Sequence, residues 1–219
     1  PTVTVNAAED AAPQDGHRAT TTRVGKVLQD PHDIPQAVTT VTNTLMEEQH
    51  VGSLEEALRN VSGLSFNAAE GGRSGDNMNL RGFYTFGDMY LDGIRDTAQY
   101  NRETFNLEQI DVLRGSAAML FGRGQAGGVI NQVTKTPLLG NRGRITGSVG
   151  IDDYREVTGD FNKELGDTTA LRLNVMKRDE GSWRSNPADG AEPEIHREGL
   201  GLSLVTGLYT DNELTFNHY

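Results

Sequence analysis

The sequence predicts an α+β domain, a mixed sheet with short helices, followed by antiparallel strands of a transmembrane β-barrel. Three observations lead there. Between about Val24 and Pro137, short apolar runs of strand and helix period are punctuated by glycine. After Pro137, five segments alternate between apolar and polar or small side chains, each over about ten residues. No apolar run approaches the ~18 residues a membrane-crossing helix needs. Barrel strands pass unnoticed by that criterion, because alternation makes them polar on average.

Residues 1–22 read as a flexible tail, too poor in large apolar groups to offset the cost of ordering. Its one β-prone patch is the alternating tetrad Thr2-Val3-Thr4-Val5. Residues 23–137 form the mixed domain. IPQAVTTVT (34–42) is β-branched and strand-like. Ser53 to Gly63 reads as a helix, with Ser53 as N-cap, Glu56 closing a capping box and Gly63 as the residue past the end. Leu54, Ala57, Leu58 and Val61 then share one face. Asn79–Arg81, Met89–Leu91, Gln109–Leu113 and Val129–Thr134 read as strands, and Ser116–Phe121 as a short helix capped by Ser116.

Residues 138–219 carry the alternation. Ile145, Val149 and Ile151 share one side, as do Val157, Phe161 and Leu165, then Leu171, Leu173 and Val175, then Leu200, Leu202 and Leu204, and finally Leu214 and Phe216. Tight turns fall at Asp152-Asp153, Gly166-Asp167 and Asp211-Asn212, and one long polar loop spans 179–196. Short connections at one end and longer ones at the other belong to outer-membrane barrels. An ordinary soluble antiparallel sheet with one wet face shares the period and stays open at this point.

Composition narrows the chemistry. The 219 residues carry 20 Lys and Arg against 31 Asp and Glu, a formal charge of −11, which disfavours a phosphate-backbone partner and so a nucleic acid. With no cysteine there are no disulfides, thiolate metal sites or cysteine nucleophiles. The five histidines, at 17, 32, 50, 196 and 218, lack metal-ligand spacing. Gly122, Gly124 and Gly127 satisfy G-x-G-x-x-G, but a dinucleotide site needs a strand before and a helix after, and here the order is reversed. No G-x-S-x-G elbow occurs, and Asp92 and Asp96 lack calcium-loop spacing. An enzyme is not expected. The opening lacks a leader-like stretch, which predicts a mature or trimmed chain.

From Asn79 the resemblance to a known family becomes specific. NLRGF (79–83), YLDGIRD (90–96) and NLEQIDVLRGSAAMLFGRGQAGGVINQVTKTP (106–137), in that order, closely resemble the plug domain of TonB-dependent outer-membrane receptors. IPQAVTTVT and SLEEALRNVSGL (53–64) match the same family. The resemblance is strongest to the ferric-siderophore receptors, and DGIRDTAQYNRETFNLEQ (92–109) is most similar to the ferric-catecholate branch. It implies a plug followed by the first strands of a barrel of about 22 strands when complete, with the remainder beyond this chain.

The implied function is uptake of ferric siderophores across the Gram-negative outer membrane into the periplasm, energised through TonB, its inner-membrane complex and the proton-motive force. A receptor for another nutrient, such as cobalamin, haem or an oligosaccharide, is the alternative. A signalling receptor would carry a further folded N-terminal domain where only a tail is expected here. No cofactor is implied, since iron arrives already wrapped as a ferric siderophore. The partners implied are TonB, the ferric siderophore and outer-membrane lipid, with no nucleic acid.

Residue roles follow from the same resemblance. Thr2, Val3, Thr4 and Val5 occupy the TonB-box position and would add a strand to the partner's sheet edge. Apical loops at 70–76, 83–88 and 95–102 would present Arg73, Tyr84, Phe86, Gly87, Arg95, Gln99, Tyr100 and Arg102 to the siderophore. Arginine suits an anionic, aromatic-rimmed chelate because it combines charge, planar hydrogen bonding and stacking. Arg81 and Arg114, expected in short interior strands, would pair with carboxylates of the barrel wall and anchor the plug.

Overall fold

The structure is a computed structural model. It describes residues 16–24, 27–67, 75–124, 126–182, 185, 187–188, 190 and 192–219. Residues 13–134 make up one compact unit, and residues 135–219 belong to a second.

The first unit runs β1 (Ala37–Thr42), α1 (Asn43–Glu48), α2 (Leu54–Leu58), β2 (Leu64–Phe66), β3 (Met78–Leu80), β4 (Phe83–Tyr84), β5 (Met89–Leu91), β6 (Ile94–Arg95), β7 (Leu107–Arg114), α3 (Ala118–Phe121) and β8 (Gly128–Thr134). Its main sheet has the order β1-β7-β8-β5-β6, and β2, β3 and β4 form a smaller antiparallel sheet. Pairing in the main sheet is antiparallel except for β5 with β8, so the sheet is mixed. β7 and β8 are buried on both sides and carry apolar residues on each, because both faces are covered. Ile110, Val112 and Ile130 face a core of Met46, Leu54, Leu58, Met78 and Leu80. Leu113 and Val129 face the opposite cluster of Val24, Tyr90, Ala117 and Phe121. Burying side chains such as Leu54 and Leu58 contributes about 1.5–3 kcal/mol each.

Three local details differ from the sequence-based expectation. Ser53 does cap α2, accepting from the Glu56 amide at 3.3 Å, while the Glu56 carboxylate takes the Gly52 amide at 3.1 Å. The helix nevertheless stops at Leu58. The Val61 amide bonds to the Leu58 carbonyl in a tight turn, which keeps Val61 buried without a further helical turn. Gly63, at φ +83°, then reverses the chain into β2. α3 begins after Ala117 with no side-chain cap; Ser116 is exposed and uses its carbonyl to accept from Gln36. The chain ahead of β1 is also not all tail. Thr22 and Val24 are fully buried, and Thr22 bridges Gln29.

The second unit is an up-and-down sheet of β9 (Arg142–Val149), β10 (Arg155–Gly166), β11 (Thr169–Gly181), β12 (Glu194–Thr206) and β13 (Leu214–His218), in sequence order and antiparallel throughout. The long connection is shorter than the sequence suggests, because β11 and β12 stay paired as far as Gly181 with Glu194. Register lines up Ile145, Gly159, Val175 and Leu200 across one face, and Leu171, Leu204 and Phe216 two rows away. That face is the exposed one: Ile145, Val149, Val157, Leu200, Leu214 and Phe216 all lie in the open. The opposite face buries Asn162, Asn174, Arg178 and Ser203. A soluble one-sided sheet hides its apolar face, whereas a barrel strand turns it to lipid, so the polarity here is that of the barrel.

The segment entering this sheet is strapped along the polar face. The Asn162 side chain donates to the Leu138 and Gly140 carbonyls at 2.6 and 2.7 Å and accepts from the Leu138 amide at 2.9 Å. Arg172 pairs with both oxygens of Asp160 and donates to the Thr136 carbonyl, and Lys135 adds a second cation to Asp160 at 3.2 Å.

Candidate functional site

Three chain segments of the first unit, at 75–77, 83–88 and 96–102, carry most of the residues the sequence singles out. Tyr84 closes β4, and its hydroxyl reaches back to donate to Asn77 Oδ1 at 2.8 Å. The next residue, Thr85, is buried and bonds through both its amide and its hydroxyl to the Met78 carbonyl. That anchor lets the chain turn at Gly87, φ +83°, with nothing near the position of a Cβ. Phe86 stands on this turn, exposed, its ring stacked on Tyr84 at a centroid distance of 6.2 Å. Gln99 comes within 3.5 Å of the Tyr84 hydroxyl. Tyr84, Phe86 and Gln99 are therefore brought together.

Tyr100 belongs to an adjoining cluster. Its hydroxyl donates to Asp96 Oδ2 at 2.8 Å, and its ring lies over the Arg102 guanidinium at 4.3 Å. Close to half of the side chain remains open to solvent. Burial, reinforced by the hydrogen bond to Asp96, pushes the phenol up to about 12. A group whose folded value is raised contributes stability below its unfolded value, near 10, and loses it as pH rises through the folded one. The difference in ultraviolet absorbance between the receptor and its Tyr100→Phe variant is therefore expected to titrate with a midpoint of about 12. A midpoint near 10 would mean the phenol is not held as described.

Arg102 is the main correction. The resemblance places it on an open loop, yet it is 2% exposed and every guanidinium nitrogen is engaged. Nε donates to Asp96 at 3.0 Å, Nη1 to Asp76 at 3.1 Å and to the Tyr100 carbonyl at 3.3 Å, and Nη2 to the Ala98 carbonyl at 2.8 Å. Burial pulls its pKa down, but the bonds and charges of Asp96 and Asp76 outweigh that and raise it, so the group stays cationic. It is not free to meet an anionic ligand. Arg95 stands apart from the aromatic group. It donates to the Tyr90 hydroxyl at 3.0 Å and to the Arg123 carbonyl at 2.6 Å, tying the β6 hairpin to the loop after α3.

Asn77, Asp76 and Asp96 were not singled out as site residues by sequence reasoning. No local signal pointed to Asp76, which lies 26 residues from Arg102 in the chain. Arg73 and the Thr2–Val5 tetrad lie outside the described residues.

Of the two arginines expected in interior strands, Arg114 lies in one and Arg81 does not. Arg81 follows β3 in a turn at φ +54°, with its side chain exposed and its amide bonded to the Gly63 carbonyl. Arg114 is the last residue of β7 and donates from Nη2 to the Thr39 hydroxyl. Its buried Nε has no hydrogen-bond partner among the described residues.

Comparison with known proteins places this geometry. Residues 30–129 match the TonB-dependent Receptor Plug Domain. The chain is 36% identical over 189 residues to the probable TonB-dependent siderophore receptor PiuA of Acinetobacter baumannii, covering 85% of this chain and 25% of that protein. It is 35% identical over 189 residues to the catecholate siderophore receptor Fiu of Escherichia coli K12, covering 85% of this chain and 24% of the relative. The crystal structure of PiuA superposes with a TM-score of 0.82 at 32% identity, over 92% of this chain and 28% of that one. The chain thus spans about a quarter of the length of the curated relatives it matches. Through the plug domain at residues 30–129, it belongs to the TonB-dependent receptors.

Proposed function

We propose that the receptor containing this chain takes up ferric siderophores, of the catecholate class, across the outer membrane into the periplasm, energised through TonB. The observation that carries the reading is the union of a plug domain with a sheet of inverted polarity in one chain. The plug relates it to proteins whose names include siderophore receptors, one of them a catecholate receptor. The inverted sheet needs an apolar medium around it, which a bilayer supplies.

The chemistry is binding and displacement, not catalysis. A siderophore fills the coordination sphere of ferric iron itself, so the protein needs no metal ligands and no resident cofactor. What it needs is rigid contact area for the aromatic rim of the chelate. Tyr84, Phe86, Gln99 and Tyr100 offer that surface, with Gly87 letting the ligand approach the backbone. Arg73 and Arg95 are the remaining cationic candidates. Thr2–Val5 would recruit TonB by strand addition. Arg81 and Arg114 would anchor the plug to carboxylates elsewhere in the receptor; the Arg114 Nε, without a hydrogen-bond partner among the described residues, would be a donor for such a group.

The test is radio-iron uptake by iron-limited cells whose only receptor is the full-length protein. Ferric catecholate is expected to accumulate only when TonB is present. Saturable binding of cobalamin, haem or an oligosaccharide with no iron uptake would favour the alternative nutrient reading instead.

A further inference from the structure

We propose that Arg102 is a positioning residue for ligand binding: its buried guanidinium braces the 96–102 loop and so sets the Tyr100 ring as a contact surface. The proposal rests on the functional reading above and gives it a specific device. The brace ties residues that are far apart in the chain. Asp76 Oδ2 accepts from both the backbone amide of Arg102 and its Nη1, each at 3.1 Å. The Asp76 amide in turn donates to the Tyr100 carbonyl at 3.2 Å. Gly75, at φ +88°, is needed for this closure, since a Cβ there would stand 2.6 Å from the Tyr100 nitrogen. On the other side Asp96 Oδ2 accepts from both Arg102 Nε and the Tyr100 hydroxyl. Asp96 Oδ1 takes the Ala98 amide at 3.3 Å, folding the loop over itself.

The consequence is a division of labour. Among the described residues of this cluster, one cation is matched by two carboxylates, and Arg102 itself has no donor to spare. A planar guanidinium lies under the Tyr100 ring and holds it by cation–π contact from the buried side. The opposite face of the ring is left for a ligand. Only a planar fork can serve Asp76, Asp96 and two carbonyls at once; an ammonium is a point charge without that geometry.

The experiment uses the full-length receptor and ferric tris(2,3-dihydroxybenzoate) as probe, with affinity read by fluorescence quenching. Arg102→Met and Tyr100→Ala are each expected to weaken binding by about tenfold, in the range of a contact residue truncated at an interface. The double variant is expected to be no weaker than either alone, because residues acting through one another are not additive. Arg102→Lys should recover binding only partly. Hydrogen exchange of the Asp76 and Ala98 amides should speed up in Arg102→Met while the rest of the plug stays protected.

Wild-type affinity in a folded Arg102→Met receptor would overturn the proposal, as would losses that add in the double variant. Should Arg102→Met fail to fold, Asp96→Asn, which loses the shared carboxylate but keeps its volume, is expected to loosen the same amides and weaken binding; unchanged values would again overturn it. A wild-type receptor that does not bind the probe sinks the catecholate reading itself, an outcome distinct from a failure of the brace alone.

Discussion

Gly128→Ala is expected to cost the plug about 3 kcal/mol or more, combining backbone strain with overpacking. The residue opens β8 at φ +142°, a conformation side chains rarely adopt, and sits against the β7 backbone and the Leu80 side chain. A Cβ there would stand 2.0 Å from the Leu113 carbonyl oxygen and 2.7 Å from Leu80 Cδ2. The first obstacle is backbone in the middle of the sheet, which cannot yield without breaking the pairing of Arg114 with Gly128. Native-state hydrogen exchange in the full receptor is the measurement, read at the amides of β1, β7 and β8. Gly122→Ala is the control. It carries backbone strain of about 1–3 kcal/mol but has open space around it, so the overpacking is missing. Equal effects from the two variants would mean that the close approach at Gly128 is not what the glycine is for. Within the glycine-rich run after α3, Gly127 also answers to packing, since a Cβ there would stand 2.1 Å from the Leu80 carbonyl oxygen, whereas Gly122 does not.

Asp111→Ala is expected to lower the local stability of the same sheet by about 3 kcal/mol, because several buried donors lose a charged acceptor together. Asp111 is fully buried in β7 beside its cross-strand partner Thr40. It accepts from the Thr40 hydroxyl at 2.6 Å, the Arg23 amide at 2.9 Å and Gln109 Nε2 at 3.1 Å, with Thr22 adding another bond. The carboxylate thereby holds the Thr22–Val24 segment against the sheet, with Val24 buried beside Leu113. Faster exchange at the Arg23 amide is the specific sign; retained protection there would count against this role. Burial raises the Asp111 pKa above its ordinary 3.8, despite the hydrogen bonds that oppose it. A raised folded value means that the associated stability is fullest below the unfolded pKa and is lost as pH rises through the folded one. Asp111→Asn should accordingly flatten the pH dependence of the Arg23 amide on the acid side, while costing less than the alanine variant at neutral pH.

Both residues mark the boundary of what local sequence can convey. The capped start of α2, the strand periods of β1 and β7 and the alternation of β9–β13 each depend on neighbours within a few residues, and all were readable. The end of α2 was not, because the tight turn at Val61 keeps that side chain in the core without helix. The cap of α3 failed for a related reason: Ser116 spends its carbonyl on Gln36, 80 residues away, and no side-chain bond fixes the helix start. Thr22 looked like the end of the tail because the composition around it is weak; Asp111, 88 residues beyond Arg23, holds the segment in place. The aromatic members of the candidate site, Tyr84, Phe86 and Tyr100, were identifiable by type and motif position. The burial of Arg102 was not, since nothing in a loop without periodicity indicates which side chain turns inward.

The order of plug motifs and the two-residue period of the last five segments were sufficient, by themselves, to establish what kind of protein this is. Period and motif order are properties of the chain read locally, and the inverted polarity follows from them once the medium is lipid. Which charged groups are spent inside and which remain for a ligand was settled only by the tertiary structure. The free energy of a charge depends on partners that folding gathers from distant positions, and Asp76, Asp96 and Arg102 acquire their roles only when they meet.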